Sequence, residues 1–135
     1  MNDASDAKRI LLVEDNPRLR ELTQTILEFS GFVVLPAKDG AEALSLMQSA
    51  GPFDLVITDL VMPGISGIQL ADQLSASGPI KVLFVSGCEA DEIVSLPELL
   101  RKGAKFLSKP FTAATLRLRV EALLNGSESP NLTLK

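Results

Sequence analysis

The sequence predicts an α/β fold in which five strand–helix units form a parallel sheet with helices on both faces. Short, nearly continuous apolar runs alternate with segments of helical periodicity, and this alternation is typical of such sheets. Glycine, proline and capping residues separate the segments. The length of 135 residues fits a single domain.

Five apolar runs are predicted as strands. The first, third and fourth consist almost entirely of β-branched and other apolar residues, as expected of strands that are buried on both faces. The predicted strands cover residues 10–13, 32–35, 55–58, 82–85 and 105–107.

The first helix is predicted to begin at Asn16-Pro17. Asparagine is a favoured N-cap, and proline fits the first turn because its missing N–H has no partner there anyway. Gly31 is expected to end this helix. The residues predicted on its buried face are Leu19, Leu22, Ile26 and Leu27.

Three further helices follow from the same signals. The second is predicted over residues 40–49 and ends at Gly51-Pro52, the third covers residues 68–75, and the last begins after Thr112 as its N-cap. The residues predicted to face inward are Ala43, Leu44, Met47, Leu70, Ala71, Leu74, Leu116, Val120, Leu123 and Leu124.

The segment between the fourth and fifth strands is predicted to be broken. Pro97 interrupts any helix that starts near Ala90. Ser95 and Glu98 have the spacing of a capping box. We therefore expect a loose turn over residues 90–94 and a short helix over residues 96–102.

The composition excludes several classes of function. With a net charge of −4 and no basic run, the chain is a poor candidate for binding nucleic acid. The absence of histidine excludes histidine metal sites and Ser-His-Asp triads, and the single cysteine, Cys88, allows no intrachain disulfide. No apolar run is long enough to span a membrane. We expect a cytoplasmic domain over residues 8–125, with polar tails at 1–7 and 126–135.

Reactive side chains stand where the predicted strands end. Ligands of parallel sheets bind beyond the carboxyl ends of the strands, and if strands one, three, four and five are neighbours, these side chains converge. The residues are Glu14 and Asp15 after the first strand, Asp59 after the third, Ser86 and Gly87 after the fourth, and Ser108, Lys109 and Pro110 after the fifth.

This set of groups suits phosphoryl transfer. Three neighbouring carboxylates repel one another unless a cation joins them, and Mg²⁺ prefers such oxygen ligands. Asp59 can attack phosphorus as a nucleophile. Lys109 supplies positive charge to the transferred group, and Ser86 supplies a hydrogen bond.

Four stretches of the sequence resemble the response-regulator receiver domain of two-component signalling. They are ILLVEDN at residues 10–16, DLVITDLVMPGISG at 54–67, VLFVSG at 82–87 and FLSKPF at 106–111. The resemblance covers roughly residues 9–124. It implies a flavodoxin-like (βα)5 three-layer sandwich with strand order 2-1-3-4-5.

The resemblance also implies a role for each site residue. Asp59 is the phosphoacceptor, and Lys109 contacts the phosphoryl group and precedes Pro110 through a cis peptide bond in many receivers. Ser86 and the aromatic Phe106 form the conformational switch. The residues implied to bind Mg²⁺ are Asp15, Asp59, Val61 through its backbone carbonyl, and Glu14 through water.

The implied partners are a sensor histidine kinase or phosphotransfer domain as donor, with no nucleic acid and no membrane. A downstream effector or a second copy is expected on the face of residues 96–102, the fifth strand and the last helix. Such a domain catalyses its own phosphorylation and hydrolysis, and it is not a turnover enzyme.

Two residues depart from the pattern of the family. Phe106 occupies the position at which many receivers have tyrosine, so it cannot form the hydrogen bond that a tyrosine hydroxyl would make. Pro97 is atypical in the helical region between the fourth and fifth strands. The variants VLFVSG and FLSKPF resemble the receivers of hybrid sensor kinases. Cys88 has no adjacent base, which favours a packing role.

Two other functions remain open on the residues alone. The same carboxylates suit an Mg²⁺-dependent phosphohydrolase for small molecules, although no cap domain fits within 135 residues. In a phosphorylation-independent interaction module, the acidic cluster would only shape the fold.

Overall fold

A computed structural model describes residues 7–87 and 104–125 of the chain. Its centre is a five-stranded parallel sheet in the order β2-β1-β3-β4-β5, which confirms the predicted fold and strand order. The strands are β1 (Arg9–Val13), β2 (Val33–Ala37), β3 (Leu55–Asp59), β4 (Val82–Ser86) and β5 (Lys105–Ser108).

Four α-helices occur in the part of the chain that the structure describes. They are α1 (Pro17–Phe29), α2 (Gly40–Ala50), α3 (Gly67–Leu74), which continues into a 3₁₀ turn (Ser75–Ser77), and α4 (Ala113–Asn125). None of the helices in these ranges is long and apolar enough to cross a membrane. The predicted break at Pro97, the helix over residues 96–102 and Cys88 lie outside the described residues.

The predicted helix caps are present. The Asn16 side chain accepts hydrogen bonds from the first-turn amides of α1, and Pro17 is the first helical residue. The Thr112 hydroxyl accepts from the Thr115 amide at 3.0 Å at the start of α4. Gly31 follows α1 with φ of +97°, a left-handed conformation that glycine adopts without steric cost.

The helices cover both faces of the sheet and enclose two main cores. On one face, apolar residues of the strands pack against Leu27 of α1 and Leu116 and Val120 of α4. On the other face, they pack against Ala43 of α2 and Leu70 of α3. The sheet is therefore the middle layer of three, and all four helices are fixed by the apolar side chains that they bury.

The prediction for the buried face of α1 is wrong at one residue, Leu22. Leu22 is 57% exposed, whereas Thr23 and Leu27 are buried, and Leu19 and Ile26 are half-buried. Residues four apart share a helix face, and residues five apart are separated by about 140°. Since Leu27 is buried, Thr23 faces the core with it and Leu22 is directed outward.

The second strand lies slightly later than predicted and includes Pro36. The Val33 amide donates to Lys8 and the Ala37 carbonyl accepts from Glu14, both toward the β1 side. Backbone groups alternate along a strand, so the nitrogen of Pro36 faces the outer edge of the sheet. Proline is tolerated at such a position because no ladder hydrogen bond is lost.

Candidate functional site

The strand order brings the predicted site residues to one edge of the sheet. Glu14 and Asp15 follow β1, Asp59 ends the adjacent strand β3, and Lys109 follows β5. Glu14, Asp15 and Asp59 each offer one carboxylate oxygen, and these three oxygens lie within 4.8 Å of one another. Residues that are distant in the sequence thus form one acidic cluster with a cation beside it.

Asp59 is the most deeply placed reactive carboxylate of the cluster. The residue is only 4% exposed, and its Oδ1 lies 2.8 Å from the Nζ of Lys109. Apart from this contact with the ammonium, the buried oxygen has no hydrogen-bond donor among the described residues. An ionised oxygen in this position is stabilised by charge and is open to a further positive ligand.

Burial has a large effect on the protonation of Asp59. Loss of solvent, with a smaller contribution from the neighbouring Glu14, raises the pKa of Asp59 from 3.8 to about 8, although Lys109 acts in the opposite direction. Burial also disfavours the charged form of Lys109, but its contact with Asp59 and the charge of Glu14 together raise the pKa of that ammonium. Without a bound cation, the charged form of Asp59 is therefore costly.

Glu14 and Asp15 occupy different environments. Glu14 is buried, its Oε1 lies 3.4 Å from the Nζ of Lys109, and its Oε2 accepts from the Asn16 amide at 3.0 Å. Arg20, which the sequence did not single out, donates to the backbone carbonyl of Glu14 at 2.9 Å. Asp15 is exposed. The pair therefore presents one fixed carboxylate beside Lys109 and one carboxylate open to solvent.

The loop after β3 is held close to Asp59. The Gly67 amide donates to the Leu60 carbonyl at 2.9 Å, and a Cβ atom at Gly67 would lie 2.1 Å from the backbone oxygen of Asp59. Only glycine permits this approach. Val61, whose carbonyl the resemblance implies as a ligand, lies in this loop and is 52% exposed.

The two switch residues lie on neighbouring strands. Ser86 ends β4, and its backbone oxygen accepts from the Lys109 amide at 2.7 Å. Phe106 of β5 is half-buried and stacks on Phe84 of β4, with ring centroids 5.5 Å apart and an angle of 30° between the planes. The peptide bond between Lys109 and Pro110 is cis.

Phe84 is a residue near the switch that the sequence did not single out. It is buried in a small cluster with Leu60, apart from the two main cores. Its register with Phe106 across β4 and β5 could have indicated the contact, because residues opposite each other on neighbouring strands place their side chains on the same face.

Comparisons with known proteins agree on one family. A family model described as the response regulator receiver domain matches residues 10–121. The uncharacterized transcriptional regulatory protein YrkP of Bacillus subtilis is 38% identical over 87% of this chain and 50% of its own length. The sensor histidine kinase TmoS of Ectopseudomonas mendocina is 40% identical over 90% of this chain and 12% of its own length. The chain thus spans half or less of the length of these two curated relatives.

Solved structures lead to the same family. The receiver domain from the hybrid histidine kinase CckA is 37% identical, with a TM-score of 0.67, over 86% of this chain and 98% of that chain. A response regulator receiver domain protein from Clostridium thermocellum is 26% identical, with a TM-score of 0.79, over 90% of this chain and 97% of that chain.

Proposed function

Because the chain belongs to the response regulator receiver domain family of two-component signalling, we propose that its signal is a phosphoryl group carried on Asp59. The observation that supports this residue is its position. Asp59 ends the central strand β3, is almost fully buried, and lies 2.8 Å from the Lys109 ammonium. Among the described carboxylates, it alone combines burial at a strand end with a cation at this distance.

The proposed step is a displacement at phosphorus. A carboxylate oxygen of Asp59 forms a bond to the phosphorus of the donor, and the bond from phosphorus to the leaving group breaks, which leaves an acyl phosphate on Asp59. Lys109 balances the charge that spreads over the phosphoryl oxygens, and the Ser86 hydroxyl donates to one of them. These residues position and stabilise the group, which is most of what phosphoryl transfer requires.

The acidic cluster fits a magnesium ion. Its possible metal ligands are carboxylate oxygens within 4.8 Å of one another, and the buried Oδ1 of Asp59 has no hydrogen-bond donor in the described part of the chain beyond its contact with the Lys109 ammonium. We propose that Asp15, Asp59 and the backbone carbonyl of Val61 hold Mg²⁺, with Glu14 acting through water. The bound ion supplies positive charge to the phosphoryl group.

We propose that the conformational response passes through Ser86 and Phe106. Since Phe106 has no hydroxyl, its readout is a change in packing against Phe84, which shares a cluster with Leu60, the residue after Asp59. Phosphorylation is expected to shift the NMR signals of the Phe106 ring. The Ser86→Ala variant, once phosphorylated, should give a much smaller shift, and an equal shift would contradict this coupling.

We propose that the phosphoryl donor is a histidine kinase or a phosphotransfer domain and that the chain acts in the cytoplasm. The relatives include a transcriptional regulatory protein and a sensor kinase. The domain modifies itself once in each signalling cycle, so we do not propose it as a turnover enzyme. A partner reads the modified state on the face of residues 96–102, β5 and α4.

Mass spectrometry with acetyl phosphate tests the proposal. The chain should gain the mass of one phosphoryl group in the presence of Mg²⁺ and much less when Mg²⁺ is chelated. The gain should be lost in Asp59→Asn and kept in Asp72→Asn, a matched change at an exposed residue of α3. An undiminished gain in Asp59→Asn would refute the assignment. Steady turnover of a stable phosphate ester that requires Asp59 would favour the phosphohydrolase instead.

A further inference from the structure

The turn between β1 and α1 is held by a side chain that reaches back from the helix. The Nη1 atom of Arg20 donates to the backbone carbonyl of Glu14 at 2.9 Å. Arg20 is half-buried, and its own amide donates to the Asn16 carbonyl at 2.8 Å, at the start of α1. The guanidinium is thus anchored on a rigid element and fixes the peptide unit that links Glu14 to Asp15.

Two hydrogen-bonded peptide groups therefore flank Asp15. On one side is the Glu14 carbonyl, which accepts from Arg20. On the other side is the Asn16 amide, which donates to the Glu14 carboxylate at 3.0 Å. The Glu14 amide in turn donates to the Ala37 carbonyl of β2 at 3.0 Å. Asp15 itself is exposed, so its backbone is fixed while its side chain lies at the surface.

The position of Asp15 matters for the geometry of the acidic cluster. Its carboxylate oxygen lies within 4.8 Å of carboxylate oxygens of Glu14 and Asp59. Mg²⁺ requires nearly octahedral ligands at short distances, so a small shift of one carboxylate weakens binding. Residues that orient a metal ligand without touching the metal commonly change the affinity about 10- to 100-fold when they are replaced. Arg20 has the contacts of such a residue.

The charge and the geometry of Arg20 have opposite effects on a cation site. A guanidinium repels a divalent cation, so its removal should, by charge alone, strengthen Mg²⁺ binding. If the guanidinium only offsets the repulsion among the three carboxylates and stabilises the fold, its removal should also strengthen binding, because the ion then takes over that role. A role in positioning predicts weaker binding instead.

We propose that Arg20 is a positioning residue for the magnesium site, which holds the peptide unit before Asp15 so that this carboxylate stays near Asp59. The inference rests on the proposed magnesium site and adds a residue that does not itself bind the ion. A fixed backbone lowers the conformational entropy that the exposed Asp15 loses on binding. Arg20 thereby raises the affinity for Mg²⁺ without taking part in phosphoryl transfer.

Titration of the 135-residue chain with Mg²⁺, followed through its amide NMR signals, tests this role. Arg20→Ala should raise the Kd for Mg²⁺ about tenfold. Arg20→Lys keeps the charge and a donor but not the planar fork, so its Kd should lie between that of Arg20→Ala and that of the wild-type chain. Arg18→Ala is the matched control, because it removes the same charge from an exposed residue of α1 and should not raise the Kd.

The rate of modification by acetyl phosphate separates positioning from a direct role in the transfer. In Arg20→Ala, the Mg²⁺ concentration that gives half the maximal rate should rise about tenfold, whereas the rate at saturating Mg²⁺ should match that of the wild-type chain. Urea unfolding without Mg²⁺ measures any loss of stability. Such a loss alone does not produce this split, because a partly unfolded variant gives less modified protein at every Mg²⁺ concentration.

The possible results separate this inference from the magnesium site on which it rests. Unchanged or tighter Mg²⁺ binding in Arg20→Ala would overturn the positioning role and leave the magnesium site standing. A rate that stays low at saturating Mg²⁺ would overturn it too, since Arg20 would then act in the transfer step. If the folded wild-type chain binds no Mg²⁺, the proposed magnesium site fails, and the role of Arg20 fails with it.

Discussion

Replacement of Asp59 by asparagine should stabilise the fold when no magnesium is present, and the gain should depend on pH. Burial, together with Glu14, raises the pKa of Asp59 to about 8, so between pH 4 and pH 8 the folded state keeps a proton that the unfolded state releases. Where the folded state binds more protons, stability falls as the pH rises. The wild-type chain therefore loses stability across this window, and the variant, which has no carboxyl group there, does not.

The pKa values set the size of the effect. The difference between the ordinary value of 3.8 and about 8, at about 1.4 kcal/mol for each pH unit, gives a ceiling of about 6 kcal/mol. This value already includes the opposing effect of Lys109, and relaxation and water penetration around the ionised carboxylate reduce the cost of its burial further. We therefore expect Asp59→Asn to raise the free energy of unfolding by about 2 to 3 kcal/mol at pH 8.5 and by almost nothing at pH 4.5.

Urea unfolding of the wild-type chain and Asp59→Asn at these two pH values, with and without Mg²⁺, measures the difference in their free energies of unfolding. Mg²⁺ should stabilise the wild-type chain at pH 8.5 more than the variant, and so reduce the gap between them. Asp72→Asn is the matched control, since its side chain is exposed. A gain that is equal at both pH values would refute the argument, because it would show that asparagine acts through packing or hydrogen bonding and not through the removal of a buried titrating group.

Three other substitutions test single parts of the structure. Lys109→Ala should slow modification by acetyl phosphate about a hundredfold, measured by mass spectrometry over time, and an unchanged rate would exclude its proposed role. Asn16→Ala removes the cap of α1 and should lower the free energy of unfolding by about 1 kcal/mol in urea; no change would mean that water replaces the cap. Gly67→Ala places a Cβ atom against the Asp59 carbonyl and should cost about 1 to 3 kcal/mol in the same assay, with slower modification of Asp59; a neutral effect on both would show that the loop moves freely.

The sequence predicts much of the site because topology alone brings its residues together. Once the strands are parallel and β1, β3, β4 and β5 are neighbours, residues at their carboxyl ends share one edge, and Glu14, Asp59 and Lys109 meet there as expected. The caps at Asn16 and Thr112 were also predictable, since a cap depends only on residues within one turn.

Features that depend on tertiary packing were not predictable in the same way. The rotation of α1 about its axis decides that Leu22 is exposed and Thr23 is buried, and a leucine-rich pattern alone leaves this rotation ambiguous. The contact of the Arg9 guanidinium with the Phe53 ring, at 5.2 Å, joins residues far apart in the sequence. No local signal in a single sequence indicates such a pair.

The position of Pro36 has a consequence for contacts between molecules. A strand at the edge of a sheet offers unpaired N–H and C=O groups, and these invite a strand of another molecule to add to the sheet. The nitrogen of Pro36 faces this outer edge of β2 and has no hydrogen to donate. A foreign strand that approached β2 would find an interrupted ladder, so proline at this position protects the sheet against edge-to-edge aggregation.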